Sequence, residues 1–444
     1  MARAGARSSL SPRAQRVAII GGGWSGMAAA VEATLAGYAV TVFEASRSLG
    51  GRARALPCVL PDGTGTTLDN GQHVLIGAYT ETLRLMELVG IDLAQVFMRL
   101  PLRLLFPDGG GLRFARWPAP LDAIAGIAGA RGWTLADKAS LVRLALQWRR
   151  TGFRCAGNAS VSDLCTRLTP RILADLIEPL CVSALNIGCQ QASGQVFLRV
   201  LQDAMFGGSG ASHLMLPRVD LSALFPGPAA SWVTARGAHV HIGARVQPQW
   251  AQGSLWRVGG AVFDQVLVAT GAPEAARLVD TATAAAAEPD RHRAQAWADT
   301  ARALQHTAIT TVYAWACGAA LPHPLLALRS HADALSPCPA QFVFDRGQLG
   351  GPPGLLAFVV SASSGDRETA QQQVLQQARR QLGLTLLPVR TIVEKRATFA
   401  CTPGLQRPAV QILPGLRACG DYVQGPYPAT LESAVRAGVA AIRS

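Results

Sequence analysis

The chain has 444 residues, 49% of them hydrophobic, with 45 Gly and 27 Pro, so it can bury a sizeable core in two or three lobes, which excludes a disordered protein. Its formal charge is +13, from 41 basic against 28 acidic residues. Lys138 and Lys395 are the only lysines, and the arginines are scattered without a block of five, so no nucleic-acid partner is expected. Charged residues make up only 16% and mean hydropathy is +0.22, which points to an apolar substrate or a membrane surface, or else to a bias toward Ala, Gly and Arg.

Nine cysteines, an odd number with no C-x-x-C spacing, argue against a disulfide framework and a zinc site, so no metal is expected and a reducing cytoplasm fits best. The first fifteen residues are rich in Arg and Ser, and the apolar run at 17–20 is too short for the core of a signal peptide. Residues 303–328 are uncharged but broken by His306, Pro322, His323 and Pro324, so no spanning helix is expected there. Any membrane contact is therefore expected to be peripheral.

In chain order, residues 16–20 form a short β-branched strand that runs into Gly21-Gly-Gly-Trp-Ser-Gly26, followed by an Ala-rich helix at 27–35 and a second strand at 39–43 closing on Glu44. This is a βαβ unit carrying the Gly21-x-Gly23-x-x-Gly26 dinucleotide fingerprint. A tight turn, a close approach of pyrophosphate and close helix packing account for the three glycines, and Glu44 is placed to accept from a ribose hydroxyl. Trp24 and Ser25 stand at the same helix N-terminus and join the expected cofactor set.

From about 79 to 232 helical periodicity takes over. Thr134 with Asp137 reads as a capping box ahead of an apolar stripe of Leu135, Leu141, Val142, Leu144, Ala145 and Trp148. Trp117, Leu121, Ile124 and Ile127 recur at helical spacing near Trp133 and arginines 113, 116 and 131, which reads either as an interfacial patch or as a buried core helix. Strand grammar returns at 238–242 and 262–270, and a second insertion at 280–396 mixes strands with a Gln-rich helix at 368–382. The expected organisation is α/β, with a discontinuous nucleotide-binding domain (1–78, 233–280, 397–444) and a mixed, helix-rich substrate domain (79–232, 281–396). Pro428 is expected to begin a C-terminal helix whose N-terminus, near Ala429 and Thr430, faces the ligand.

Ser48-Leu-Gly-Gly-Arg52 and Arg417-Ala-Cys-Gly-Asp421 resemble segments of the FAD-dependent amine-oxidase and phytoene-desaturase superfamily. The resemblance narrows with Leu68-Asp-Asn-Gly-Gln-His-Val74, Glu178-Pro-Leu-Cys-Val-Ser-Ala-Leu-Asn186, Leu216-Pro-Arg-Val-Asp-Leu-Ser222, Glu394-Lys-Arg-Ala-Thr-Phe399 and Tyr427-Pro-Ala-Thr-Leu-Glu432. Together these are similar to the squalene-associated FAD-dependent desaturases over essentially the whole chain after residue 16. The resemblance implies a Rossmann-like FAD domain of amine-oxidase type, non-covalent FAD held also by Gly50, Gly51, Arg52, Gly71, Gly420 and Asp421, and a polyprenyl substrate. It further implies association with other enzymes of squalene and hopanoid biosynthesis, at the inner face of the cell membrane.

The reaction so implied is reductive removal of the hydroxyl of hydroxysqualene to give squalene, by hydride transfer to an allylic cation, with a polyprenyl or carotenoid-type desaturase and a non-catalytic FAD-binding squalene carrier as alternatives. Such a reaction needs an acid for the departing oxygen. Asp69 and His73, in the loop that the resemblance sets beside the flavin ring, are the first candidates, and Tyr427 is the other. Glu178, Asp203 and Asp220 read as caps or surface groups, with service to a substrate hydroxyl as the alternative. His239 and His241 read as structural.

Overall fold

The computed structural model describes residues 14–118, 120–253, 255–331 and 337–443; most of the first fifteen residues and part of the 332–340 loop lie outside them. The fold is α/β, organised on two sheets. The first has six strands in the order His239–Ile242, Ala39–Glu44, Arg16–Ile20, Gln265–Val268, Leu416–Ala418 and Gln411–Leu413. The first five are parallel and the last is an antiparallel edge. Counted along the chain, the parallel strands stand 3-2-1-4-5, so the order reverses between Arg16–Ile20 and Gln265–Val268, where such sheets open a ligand crevice at their carboxyl ends.

The Trp24–Leu35 helix is buried along nearly its whole length, between the C-terminal helix Leu431–Arg443 and the helix Pro226–Thr234. Its Ala-rich sequence is what such a sandwich demands. At the crossing, a Cβ on Gly438 would lie 2.2 Å from the Ser25 carbonyl oxygen, so only glycine lets the two helices meet.

The second sheet is antiparallel, in the order Leu325–Ala327, Phe342–Asp345, Leu355–Ser363, His306–Trp315 and Leu387–Phe399. The helix-rich insertion also carries strands that its periodicity did not announce. Leu214–Pro217 pairs with both Phe97–Leu100 and Leu75–Ile76, and Arg103–Leu105 pairs with Gly111–Arg113. The Thr134–Asp137 capping box is present; of the stripe behind it Leu141, Leu144 and Trp148 are buried, while Leu135 and Val142 face outward.

Three expected domain boundaries fall inside regular elements: 232/233 in Pro226–Thr234, 280/281 in Ala272–Thr283, and 396/397 in Leu387–Phe399. Pro226–Thr234 lies on the first helix, and Trp297 of the helix Glu288–Arg302 donates to the Ala409 carbonyl at 2.8 Å, tying that helix to the nucleotide side. The cysteines are all free thiols.

Candidate active site

The crevice is lined by backbone. Gly21 N–H donates to the Phe43 carbonyl at 2.8 Å, Gly50 N–H donates to the Gly22 carbonyl at 2.9 Å, and Gly23 pairs with Gly50, so the first glycine turn and the Gly50-Gly51 turn stack on each other. Gly26 is compulsory, since a Cβ there would sit 1.9 Å from the Gly21 oxygen. A Cβ on Gly23, by contrast, would meet nothing nearer than 3.8 Å, and no side chain caps the helix that starts there. Its first-turn N–H groups and dipole are thus left for an anion.

Glu44 closes the far side. Its carboxylate accepts from Gly22 N–H at 2.6 Å and Ser46 N–H at 2.7 Å, which orients it and still leaves lone pairs for ribose hydroxyls. Thr270 Oγ1, after the fourth parallel strand, is buried without a hydrogen-bond partner, and Ser25 Oγ has only the Cys419 thiol beside it. Buried hydroxyls are normally bonded. These two, with the open glycine cradle, fit a dinucleotide. Trp24 is placed differently from the expectation: its indole packs on Phe225 and donates to the Ala53 carbonyl at 3.1 Å, so only its backbone faces the cradle.

A second group of residues converges from across the chain. Arg52 meets Asp421 at 2.6 Å and donates to the Ala397 carbonyl at 2.8 Å, while Asn70 donates to the Arg52 carbonyl at 3.0 Å and to Glu394 at 3.2 Å. Segments 48–52, 68–74, 394–399 and 417–421 therefore meet at one place. The Asp421 carboxylate raises the Arg52 pKa, and burial together with Arg52 lowers that of His306. Beyond Gly420 and Asp421 the chain is held by Arg407, whose guanidinium donates to the carbonyls of Asp421 (2.6 Å), Tyr422 (3.2 Å), Gly425 (2.9 Å), Tyr427 (2.7 Å) and Val423, and stacks on Phe399. Sequence reading missed Arg407, because nothing local marks a residue whose partners are all carbonyls.

The three candidate acids occupy different settings. Asp69 is the last residue of the strand Gly65–Asp69; its carboxylate accepts from Leu221 N–H at 2.8 Å, and burial pushes its pKa up to about 6. His73 lies 2.7 Å, through Nδ1, from the Gly71 carbonyl. A carbonyl only accepts, so Nδ1 carries the hydrogen and Nε2 of the neutral ring is an acceptor. Burial foremost, with Arg52 adding to it, lowers the His73 pKa, so this ring favours the neutral form and is poorly suited to donate a proton.

Tyr427 donates to Asp203 Oδ2 at 2.7 Å and accepts from Arg199 at 3.0 Å, and Arg199 also grips both Asp203 oxygens at 3.0 Å. Arg199 and Arg436 lie over its ring at 5.1 and 5.4 Å. Burial first, then the Asp203 hydrogen bond, raises the phenol pKa. Tyr427 and Asp203 line a cleft of about 40 Å³ with Ile76, Tyr79, Val200 and Thr430. The signal for Asp203 stands in the sequence as an i, i+4 partner of Arg199 on a helix, a spacing that also suits a cap or surface group with service to a substrate hydroxyl as the alternative. Asp220 is a helix cap, accepting from Ser222 and Ala223, and Glu178 is exposed.

The C-terminal helix begins at Leu431, three residues later than expected from Pro428. Thr430 supplies the cap instead, its Oγ1 accepting from Ser433 N–H at 3.1 Å, and Ala429 packs half-buried on the core. Lys395 is exposed, and the stacked pair His239 and His241 lies on the edge strand; no metal-holding cluster occurs among the described residues.

Residues 24–442 match the flavin-containing amine oxidoreductase family, so the chain belongs to that family and is an FAD-dependent oxidoreductase. Among its relatives is the hydroxysqualene dehydroxylase of Rhodopseudomonas palustris, 28% identical over 448 residues, covering 95% of this chain and 96% of that protein. A shorter stretch is 43% identical over 75 residues to the zeta-carotene desaturase of Synechocystis, covering 17% of this chain and 14% of that protein. An oxidoreductase from Methanosarcina mazei shares the fold with a TM-score of 0.70 at 15% identity, over 97% of this chain and 100% of that one.

Proposed function

We propose that this flavoenzyme reductively removes the hydroxyl of hydroxysqualene to form squalene, a step of hopanoid biosynthesis. The near full-length similarity to a hydroxysqualene dehydroxylase supports the substrate class. The observation that carries the mechanism is the Tyr427–Asp203–Arg199 cluster at the cleft, just ahead of the C-terminal helix. Reduced FAD, when bound, supplies the hydride. Its pyrophosphate is assigned to the cradle of Gly21, Gly23, Ser25, Gly26, Gly50 and Gly51, its ribose to Glu44, and the rest of the group to Arg52, Gly71, Gly420, Asp421 and the Ala429–Thr430 turn.

In this reading the substrate hydroxyl enters the cleft and takes the Tyr427 proton, so the C–O bond breaks with departure of water and leaves an allylic cation. Bound reduced FAD would supply the hydride that balances R–OH and H⁺ to R–H and H₂O. Arg199 and Arg436 stabilise the phenolate left behind, and Asp203 holds the ring in place. The apolar walls keep out water that would recapture the cation. In this reading Asp69, whose Oδ1 holds the Leu221 N–H, and His73, whose Nε2 is an acceptor, support the site. Peripheral contact with the bilayer belongs to the same reading, because a long polyprenyl alcohol and the hydrocarbon made from it both partition into the bilayer.

The short similarity to a zeta-carotene desaturase favours a second reading, oxidation of a polyene chain. Anaerobic incubation of photoreduced holoenzyme with hydroxysqualene decides between them. One squalene per flavin oxidised is expected. Oxidised flavin reduced by a polyene, with no squalene formed, would establish the desaturase, and a flavin inert to both would leave a carrier.

A further inference from the structure

The region after the Arg103–Leu105 and Gly111–Arg113 hairpin is unusual in two independent ways. First, its apolar side chains face solvent. Trp117, Leu121 and Ile124 are 60%, 54% and 59% exposed, and they stand just before and on the helix Leu121–Ala128. Leu135 is 86% exposed at the start of the next helix, which is tied to this one where Lys138 Nζ donates to the Ala128 carbonyl at 2.7 Å. A buried core helix, the other reading of the same periodicity, would have hidden these side chains.

Second, the neighbouring arginines are unneutralised. Arg103 and Arg113 stand directly opposite each other on paired strands, an arrangement that repels. Burial first, then Arg113 and Arg116, lowers the Arg103 pKa, and among the described residues its buried Nε has no hydrogen-bond partner. Among the described residues no carboxylate comes within ion-pair distance of Arg103, Arg113 or Arg116; Asp122, the acid of the helix, is buried and accepts from the Ala123 N–H. Repulsion kept without a local acid makes sense when the anions come from outside, and an aromatic with flanking cations beside an apolar helix face suits the interface of a bilayer.

We infer that Trp117, Leu121 and Ile124, with Arg103, Arg113 and Arg116, form a docking surface for an anionic lipid bilayer. The inference rests on the peripheral-contact part of the proposed function and not on its chemistry. The apolar residues sink into the acyl boundary while the guanidinium groups bind lipid phosphates, so both sets are needed.

Co-sedimentation of the holoprotein with phosphatidylglycerol and with phosphatidylcholine vesicles tests it, with flavin absorbance as the check on folding. Each arginine near an anionic surface contributes about five-fold in partitioning, so Arg113→Gln with Arg116→Gln is expected to weaken phosphatidylglycerol binding about 30-fold. Leu121→Asp with Ile124→Asp is expected to abolish it, and phosphatidylcholine to bind wild type no better than the arginine variant binds phosphatidylglycerol. Equal binding by wild type and either variant overturns the proposal. So does wild-type protein that ignores vesicles but dimerises in light scattering and becomes monomeric in the Leu121→Asp, Ile124→Asp variant, which would make the surface a contact between copies. Because no turnover is measured, failure here leaves the reaction untouched, and a wrong reaction leaves this result standing.

Discussion

Two segments close on the cofactor crevice, and they are held by opposite means. The 21–26 turn is built mostly from near neighbours, a strand, the fingerprint glycines and a helix within thirty residues, with the Ala269 carbonyl the distant atom that crowds Gly21. The 421–427 loop is irregular, and one guanidinium, that of Arg407, organises it through five carbonyls. The first kind of site announces itself as a motif, because the steric demand falls on residues adjacent in sequence. The second is invisible until the chain is folded, because any backbone offers carbonyls. In the proposed reading the pyrophosphate is held by the first arrangement, and Tyr427 is placed by the second.

The contrast can be broken most sharply at Gly26. Valine there must displace the Gly21 carbonyl, so purified Gly26→Val is expected to lack flavin altogether, judged by absorbance after desalting. Retention of a full complement would mean that the turn tolerates a different backbone. At the other segment, Tyr427→Phe is expected to keep FAD and to slow anaerobic flavin reoxidation by hydroxysqualene about 100- to 10,000-fold, the usual scale for losing a general acid. Wild-type reoxidation in that variant would return the search to Asp69 and His73.

Asp69 belongs to neither segment. Its folded-state pKa, about 6, lies above the ordinary value of 3.8 because burial penalises the carboxylate. The native protein therefore holds this proton more tightly than the unfolded chain does, so the contribution of Asp69 to stability is fully present below about pH 4 and is lost as pH rises through about 6. The difference in unfolding free energy between wild type and Asp69→Asn is expected to shift by about 2 kcal/mol between pH 4 and 7, at 1.36 kcal/mol per unit. Urea titrations across that range read it; parallel curves would place Asp69 in water.

The smallest effect is expected at Arg407. Lysine keeps the charge but cannot fork to several carbonyls, so Arg407→Lys should retain FAD while turnover falls about 10-fold, equivalent to about 1.4 kcal/mol. A variant that lost flavin and turnover together would show the two segments to be one unit.

What the sequence determined by itself is the nucleotide half. The βαβ unit, Glu44 and the Gly50-Gly51-Arg52 and Gly420-Asp421 segments were legible because a cradle made of backbone requires specific small residues at specific short spacings. The tertiary structure alone decided the rest. It put Asp421 on Arg52, 369 positions apart, turned the Trp24 indole away from the cradle, and moved the helix start from Pro428 to Leu431 because Thr430 supplies the cap. It also joined Tyr427 to Asp203 across 224 positions and turned the 117–124 face outward. Periodicity places a side chain on a face of its own helix, but whether that face meets another element, a partner charge or solvent depends on residues hundreds of positions away, brought together by core packing that no local pattern records.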